Sequence, residues 1–99
     1  MSDREEQQKM ADRPTVLVVD DEQLSLDTLR RTLEEDFNVR TAITAEEGLR
    51  ILDGEQVQVV VSDQRMPEVS GVEFLSRVRD LWPEVIRIIL SGYTDPQDL

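Results

Sequence analysis

Two apolar segments of the sequence end abruptly in aspartate, and these acids are the residues best suited to do chemistry. The run Val57–Val61 leads into Asp63, and the run Val16–Val19 leads into Asp20 and Asp21. Such runs are typical of strands buried on both faces of a parallel sheet, and open α/β sheets place their sites at the carboxyl ends of these strands. If Asp63 were the only aspartate at the end of a strand, the better interpretation would be that it starts a turn. The second acidic segment instead predicts three carboxylates at one sheet edge.

Crowded carboxylates repel one another and favour a bound cation. The chain contains no histidine and no cysteine, so the donors are oxygens and we expect a hard ion, Mg²⁺. Asp63 beside Mg²⁺ can act as a nucleophile toward phosphorus and form an aspartyl phosphate, while the metal neutralises charge on the transferred group. Ser91, after another apolar run, would donate its hydroxyl to a phosphoryl oxygen; the alternative is that it caps a helix.

Composition limits the class of protein. The 99 residues, 38% hydrophobic, fit one small domain, and 22 acids against 11 bases argue against direct nucleic-acid binding. No apolar run approaches the roughly 20 residues of a membrane span, and no secretory signal is visible. We therefore expect a cytoplasmic location. Residues 1–13 are polar and aperiodic and are predicted to form a flexible tail, with the folded domain over residues 14–99.

The apolar spacing predicts strands that alternate with helices. Two tetrads, one beginning at Thr44 and one at Ser70, match capping boxes and mark helix starts. The alternation implies right-handed crossovers and a parallel sheet covered on both faces. The predicted strands are Thr15–Val19, Phe37–Ala42, Val57–Asp63 and Val85–Leu90, and the predicted helices are Gln23–Asp36, Thr44–Gly54 and Ser70–Leu81. Core-facing positions on these helices are predicted for Leu24, Leu26, Leu29, Leu33, Phe74, Leu75, Val78 and Leu81.

Four segments carry a family resemblance. Val18–Glu22, Ser62–Pro67, Gly71 and Ile89–Gly92 occur in an order and at intervals that resemble the receiver domain of bacterial two-component response regulators. The similarity covers about residues 14–99. It implies an α/β fold with a doubly wound parallel sheet of the flavodoxin or CheY-like (βα)5 type, lacking the last β-α unit, with strand order 2-1-3-4.

The resemblance also implies a function. It implies that Asp63 accepts a phosphoryl group from a sensor histidine kinase or a phosphotransfer protein in a phosphorelay. It assigns Asp20, Asp21, Asp63 and the backbone carbonyl of Arg65 to Mg²⁺, and Ser91 to the hydroxyl that contacts phosphate and acts in switching. A receiver of this kind assists its own phosphorylation and dephosphorylation and is not expected to be an enzyme.

The sequence departs from the family pattern at its end. Receivers continue into a fifth strand that carries a lysine, whereas the only lysine here is Lys9. The expectation from the sequence is an N-terminal piece of a longer regulator or a truncated receiver. Its fourth strand would be a sheet edge with exposed Val85, Ile86, Ile88 and Ile89. Apolar edges invite pairing with another chain, so self-association or a homodimer through this strand is predicted.

Two other classes of function compete with signalling. One is a truncated receiver that acts as a non-signalling interaction or dimerisation module, which the missing lysine favours. The other is a Mg²⁺-dependent phosphohydrolase. Such an enzyme would need a second, general-acid aspartate two positions beyond Asp63, but the residue at that position is Arg65. A Rossmann nucleotide-binding domain is disfavoured because no G-x-G-x-x-G turn is present.

Overall fold

A computed structural model describes residues 12–90 of the chain. In this range strands and helices alternate, as the apolar spacing predicts. The elements, in chain order, are β1 Thr15–Val19, α1 Gln23–Leu33, β2 Asn38–Ala42, α2 Ala45–Gly54, β3 Val59–Asp63, α3 Gly71–Leu81 and β4 Ile86–Leu90.

The four strands form one parallel sheet in the order β2-β1-β3-β4, which confirms the predicted fold class and strand order. The chain moves outward from β1 to β2 and then crosses back to β3. Open α/β sheets bind ligands where the strand order reverses in this way. The register pairs Val19 of β1 with Ser62 of β3, and Asp63 with Leu90 of β4. The carboxyl ends of β1, β3 and β4 therefore lie at one edge.

Residues that alternate along the strands face opposite sides of the sheet. Leu17, Val19 and Val60 belong to a cluster with Phe74 of α3 and Leu52 of α2. A second cluster covers the other side, where α1 supplies the fully buried Leu26; its strand residues are Val16, Val18 and Val61. The sheet is thus covered on both faces, which explains why its central strands are almost entirely apolar.

Side-chain caps set the starts of α2 and α3. The hydroxyl oxygen of Thr44 accepts a hydrogen bond from the N–H of Glu47 at 3.1 Å, and Ser70 accepts one from the N–H of Glu73, also at 3.1 Å. Each bond satisfies a first-turn N–H that has no partner within its own helix. Both capping boxes predicted from the sequence therefore start helices.

Helix α1 differs from its prediction. It ends at Leu33, because the Leu33 carbonyl accepts hydrogen bonds from the N–H groups of Asp36 and Phe37 and the chain turns there. Leu24 was predicted in the core, which is wrong: it is 80% exposed. Leu26 is fully buried, and two residues of helix amount to a rotation of about 200°, so Leu24 points to the opposite side.

Three further expectations are corrected. Strand β3 begins at Val59, not at Val57, which is buried just before it. Leu81 was predicted to face the core but is 63% exposed at the end of α3, where Trp82 packs against the core instead. Val85 was predicted to be exposed but is buried, because it precedes β4 and joins the cluster under α3.

Within residues 12–90, β4 has a strand neighbour on one side only. Its isoleucines at 86, 88 and 89 are partly exposed, as predicted. Self-association through this strand stays a prediction.

Candidate functional site

The three aspartates converge at the carboxyl edge of the sheet. Asp20 follows the last residue of β1, Asp21 comes next in the loop, and Asp63 is the last residue of β3. One carboxylate oxygen from each lies within 4.8 Å of the other two. Because β1 and β3 are parallel neighbours in register, their ends bring acids that are more than forty residues apart in sequence into one cluster.

Asp20 is partly buried and lies in an environment that disfavours its charged form. Burial raises the pKa of Asp20 above its usual range, and the charges of Asp63 and Asp21 raise that pKa further. A hydrogen bond at 2.9 Å from the N–H of Glu22 to Oδ1 of Asp20 acts in the opposite direction but does not cancel these effects. The protein thus holds a carboxylate where ionisation is costly unless a cation is present.

The donor chemistry of the cluster fits Mg²⁺. All three side chains offer carboxylate oxygens, and the sequence supplies no imidazole or thiolate that would select a softer ion. Asp21 is exposed and Asp63 is partly buried, so the site is open to solvent on one side. An open oxygen site leaves room for the waters that Mg²⁺ retains and for a phosphate oxygen.

The loop that follows β3 begins at this edge, and Gln64 connects its two ends by hydrogen bonds. The backbone carbonyl of Gln64 accepts a hydrogen bond from the N–H of Gly71, and its side-chain Oε1 accepts one from the N–H of Val72, both at 3.0 Å. Sequence reasoning missed this residue, because the bond joins residues eight apart in a loop and has no periodic signal. Arg65, the next residue, is exposed.

A shallow cavity of about 350 Å³ lies beside Asp20 and Asp63. Leu24 lines it from α1 and Leu90 lines it from the end of β4, so this cavity joins the acidic cluster to an apolar wall. Ser91, the remaining predicted site residue, follows Leu90 and lies outside the described residues.

Among residues 12–90, no helix has the length and apolar character needed to cross a membrane.

Fold and site together define a class of protein: an α/β domain with an acidic cluster at the point where its strand order reverses. The chain belongs to the response regulator receiver domain family, whose family model matches residues 16–99. The predicted family is therefore confirmed.

Individual relatives agree with this assignment. The chain is 55% identical over 85 residues to the hydrogenase transcriptional regulatory protein HoxA of Cupriavidus necator, covering 86% of this chain and 18% of HoxA. It thus spans about a fifth of the length of that relative. A CheY-like response regulator receiver domain protein from Methanospirillum hungatei matches with a TM-score of 0.78 and 31% identity, over 87% of this chain and 70% of the other. The response regulator TrrA of Thermotoga maritima, solved in complex with Mg²⁺-BeF, matches with a TM-score of 0.77 and 32% identity, over 82% and 71%.

Proposed function

We propose that this domain accepts a phosphoryl group on Asp63 from a sensor histidine kinase or a phosphotransfer protein, with Mg²⁺ bound beside it. The observation that carries the proposal is the convergence of the Asp20, Asp21 and Asp63 carboxylates at the reversal point of the sheet. Membership in the receiver family supports it, as does the likeness to TrrA, whose structure was solved with Mg²⁺-BeF.

The residues that would hold Mg²⁺ are Asp20, Asp21, Asp63 and the backbone carbonyl of Arg65. When bound, the ion offsets the negative charge that accumulates as a phosphoryl group approaches three carboxylates. Asp20 and Asp63 are partly buried, whereas Asp21 is exposed. We therefore assign Asp20 to the inner wall of the site and Asp21 to its open rim.

Asp63 is the nucleophile in this proposal. A carboxylate oxygen of Asp63 attacks phosphorus, a P–O bond forms, and the P–N bond of the donor phosphohistidine breaks so that the imidazole leaves. Ser91 donates its hydroxyl to an oxygen of the transferred group. Later attack by water on the acyl phosphate returns Asp63 to the free carboxylate, so the domain assists its own phosphorylation and dephosphorylation and is not an enzyme.

The proposed partner reaches the site across the apolar wall of the cavity. Leu24 is 80% exposed and lines this cavity with Asp63 and Leu90. Exposed apolar residues beside a reactive group are suited to contact another protein.

HoxA is by name a transcriptional regulatory protein. We propose that this chain is the phosphoacceptor part of a regulator of that kind. A cytoplasmic location stays a prediction.

Incubation with acetyl phosphate tests the proposal. The full chain should gain the mass of one phosphoryl group in the presence of Mg²⁺ and should not gain it when the metal is chelated. Asp63→Asn should remain unmodified under both conditions, whereas Asp53→Asn, an exposed acid at the end of α2, should behave as wild type. Equal modification of wild type and Asp63→Asn would contradict the proposal.

A further inference from the structure

Gln64 joins the end of β3 to the start of α3 by two hydrogen bonds. Its backbone carbonyl accepts a hydrogen bond from the N–H of Gly71, and its side-chain Oε1 accepts one from the N–H of Val72. These are the first two N–H groups of α3, and the third, that of Glu73, is bound by Ser70. One residue therefore closes the loop of residues 64–71 upon itself.

The contact between the two elements is too close for any residue but glycine at position 71. A Cβ there would lie against the backbone carbonyl oxygen of Asp63 and 3.0 Å from Cα of Gln64. The first turn of α3 is thus packed directly on the Asp63–Gln64 backbone. This close packing is what lets the Gln64 side chain reach the N–H of Val72.

The fixed carbonyl of Gln64 also fixes the peptide unit that leads into Arg65. A peptide bond is planar, so anchoring the Gln64 oxygen orients the whole plane up to Arg65 N and Cα. Only the two backbone torsions of Arg65 then remain to direct its own carbonyl. Groups that bind a metal without having to be ordered first bind it more tightly.

We propose that Gln64 is a positioning residue for the metal site: its side chain holds the loop so that the Arg65 carbonyl is ready to ligate Mg²⁺ beside Asp63. The inference rests on the proposed function and adds to it a residue that does not itself touch the metal. Partners that orient ligands in this way influence metal affinity strongly.

The decisive comparison is between Gln64→Met and Ser70→Ala. The methionine keeps the length of the side chain but removes the acceptor for Val72, whereas the alanine removes a neighbouring cap of the same helix that does not involve Gln64. Titration of the full chain with Mg²⁺ by calorimetry should show about 10-fold weaker binding for Gln64→Met. Ser70→Ala should bind Mg²⁺ as wild type does, although both variants lose a helix cap.

A second measurement uses the wild-type chain alone. Binding is reciprocal, so Mg²⁺ should strengthen the bond that prepares its site, and saturating Mg²⁺ should slow hydrogen exchange of the Val72 amide. Unchanged exchange there would overturn the inference. So would equal Mg²⁺ affinities for Gln64→Met and wild type, or equal losses in Gln64→Met and Ser70→Ala, and these results leave the proposed function intact. A wild-type chain that binds no Mg²⁺ would instead refute the proposed function, and the role of Gln64 with it.

Discussion

Gly71, the first residue of α3, lies directly against the backbone carbonyl oxygen of Asp63, the last residue of β3. No side chain fits between them: a Cβ on Gly71 would also come within 2.9 Å of Cδ1 of Ile89. The start of the helix and the proposed phosphoacceptor are therefore parts of one rigid contact. Any change that pushes them apart should disturb both the fold and the site.

Gly71→Ala should destabilise the domain because the added methyl group must displace the backbone of β3 or of α3. Overpacking of this kind costs about 1–3 kcal/mol, and here the obstacle is backbone, which favours the upper end. Gly54→Ala is the matched control, since a Cβ at this helical position meets nothing within 4 Å. It should leave stability unchanged or raise it by up to about 1 kcal/mol. Urea unfolding of both variants checks the contrast, and equal effects would contradict the close contact at Gly71.

Asp20→Asn should stabilise the metal-free domain at neutral pH. The folded protein raises the pKa of Asp20, chiefly by burial and then by the charges of Asp63 and Asp21. The folded state thus holds a proton on Asp20 at pH values where the unfolded chain has released it, so stability falls as pH rises from about 3.8 through the raised pKa. The gain in stability from Asp20→Asn should be near zero below this pH range and complete above it.

Thermal unfolding in chelator across pH 3–8 measures this gain as the difference between variant and wild type. Glu84→Gln removes the same charge from an exposed residue before β4, at the opposite edge of the sheet, and should show no such pH-dependent gain. A gain from Asp20→Asn that is independent of pH, or a loss at neutral pH in chelator, would rule out the electrostatic account of the cluster.

Mg²⁺ should stabilise wild type by mass action. At about 100 times its dissociation constant, the ion should raise the free energy of unfolding by about 2.7 kcal/mol. Asp21→Asn removes a proposed ligand from an exposed position and should lose most of this response. In chelator it should be at least as stable as wild type, because it also removes a charge that raises the pKa of Asp20. An equal response to Mg²⁺ in Asp21→Asn and wild type would exclude Asp21 from the site.

The two leucines near the start of α1 should behave in opposite ways. Leu26→Ala empties a fully buried position and should cost about 2–5 kcal/mol. Leu24→Ser changes a side chain that is 80% exposed and should alter stability by no more than about 0.5 kcal/mol. If Leu24 contacts the phosphodonor protein as proposed, the serine variant should be phosphorylated more slowly by that partner but at the wild-type rate by acetyl phosphate.

The sheet and the acidic cluster were predictable from the sequence because both follow from strand periodicity. Valine-rich strands indicate burial on both faces, and parallel strands must end at the same edge, so Asp20 and Asp63 had to approach each other. The exposure of Leu24 could also have been predicted from spacing, because Leu26, Leu29 and Leu33 stand at i, i+3 and i+7 on one helix face and Leu24 lies off that face.

The hydrogen bond from the N–H of Val72 to the side chain of Gln64 could not be predicted from the sequence. It depends on the path of an irregular loop and on the close approach of Gly71 to β3, and neither leaves a periodic pattern. Exposure of Leu81 and burial of Val85 were missed for a related reason. Both lie at the boundary of an element, where the regular spacing of core positions breaks down and Trp82 and Val85, rather than Leu81, pack against the core.

Location of the phosphoryl group tests the central claim most directly. Borohydride reduces an aspartyl phosphate to homoserine, so the full chain should be incubated with acetyl phosphate and Mg²⁺, reduced, digested and sequenced by mass spectrometry. The account predicts homoserine at position 63 and aspartate unchanged at positions 20 and 21. Homoserine at position 20 or 21, or at none of the three, would contradict it.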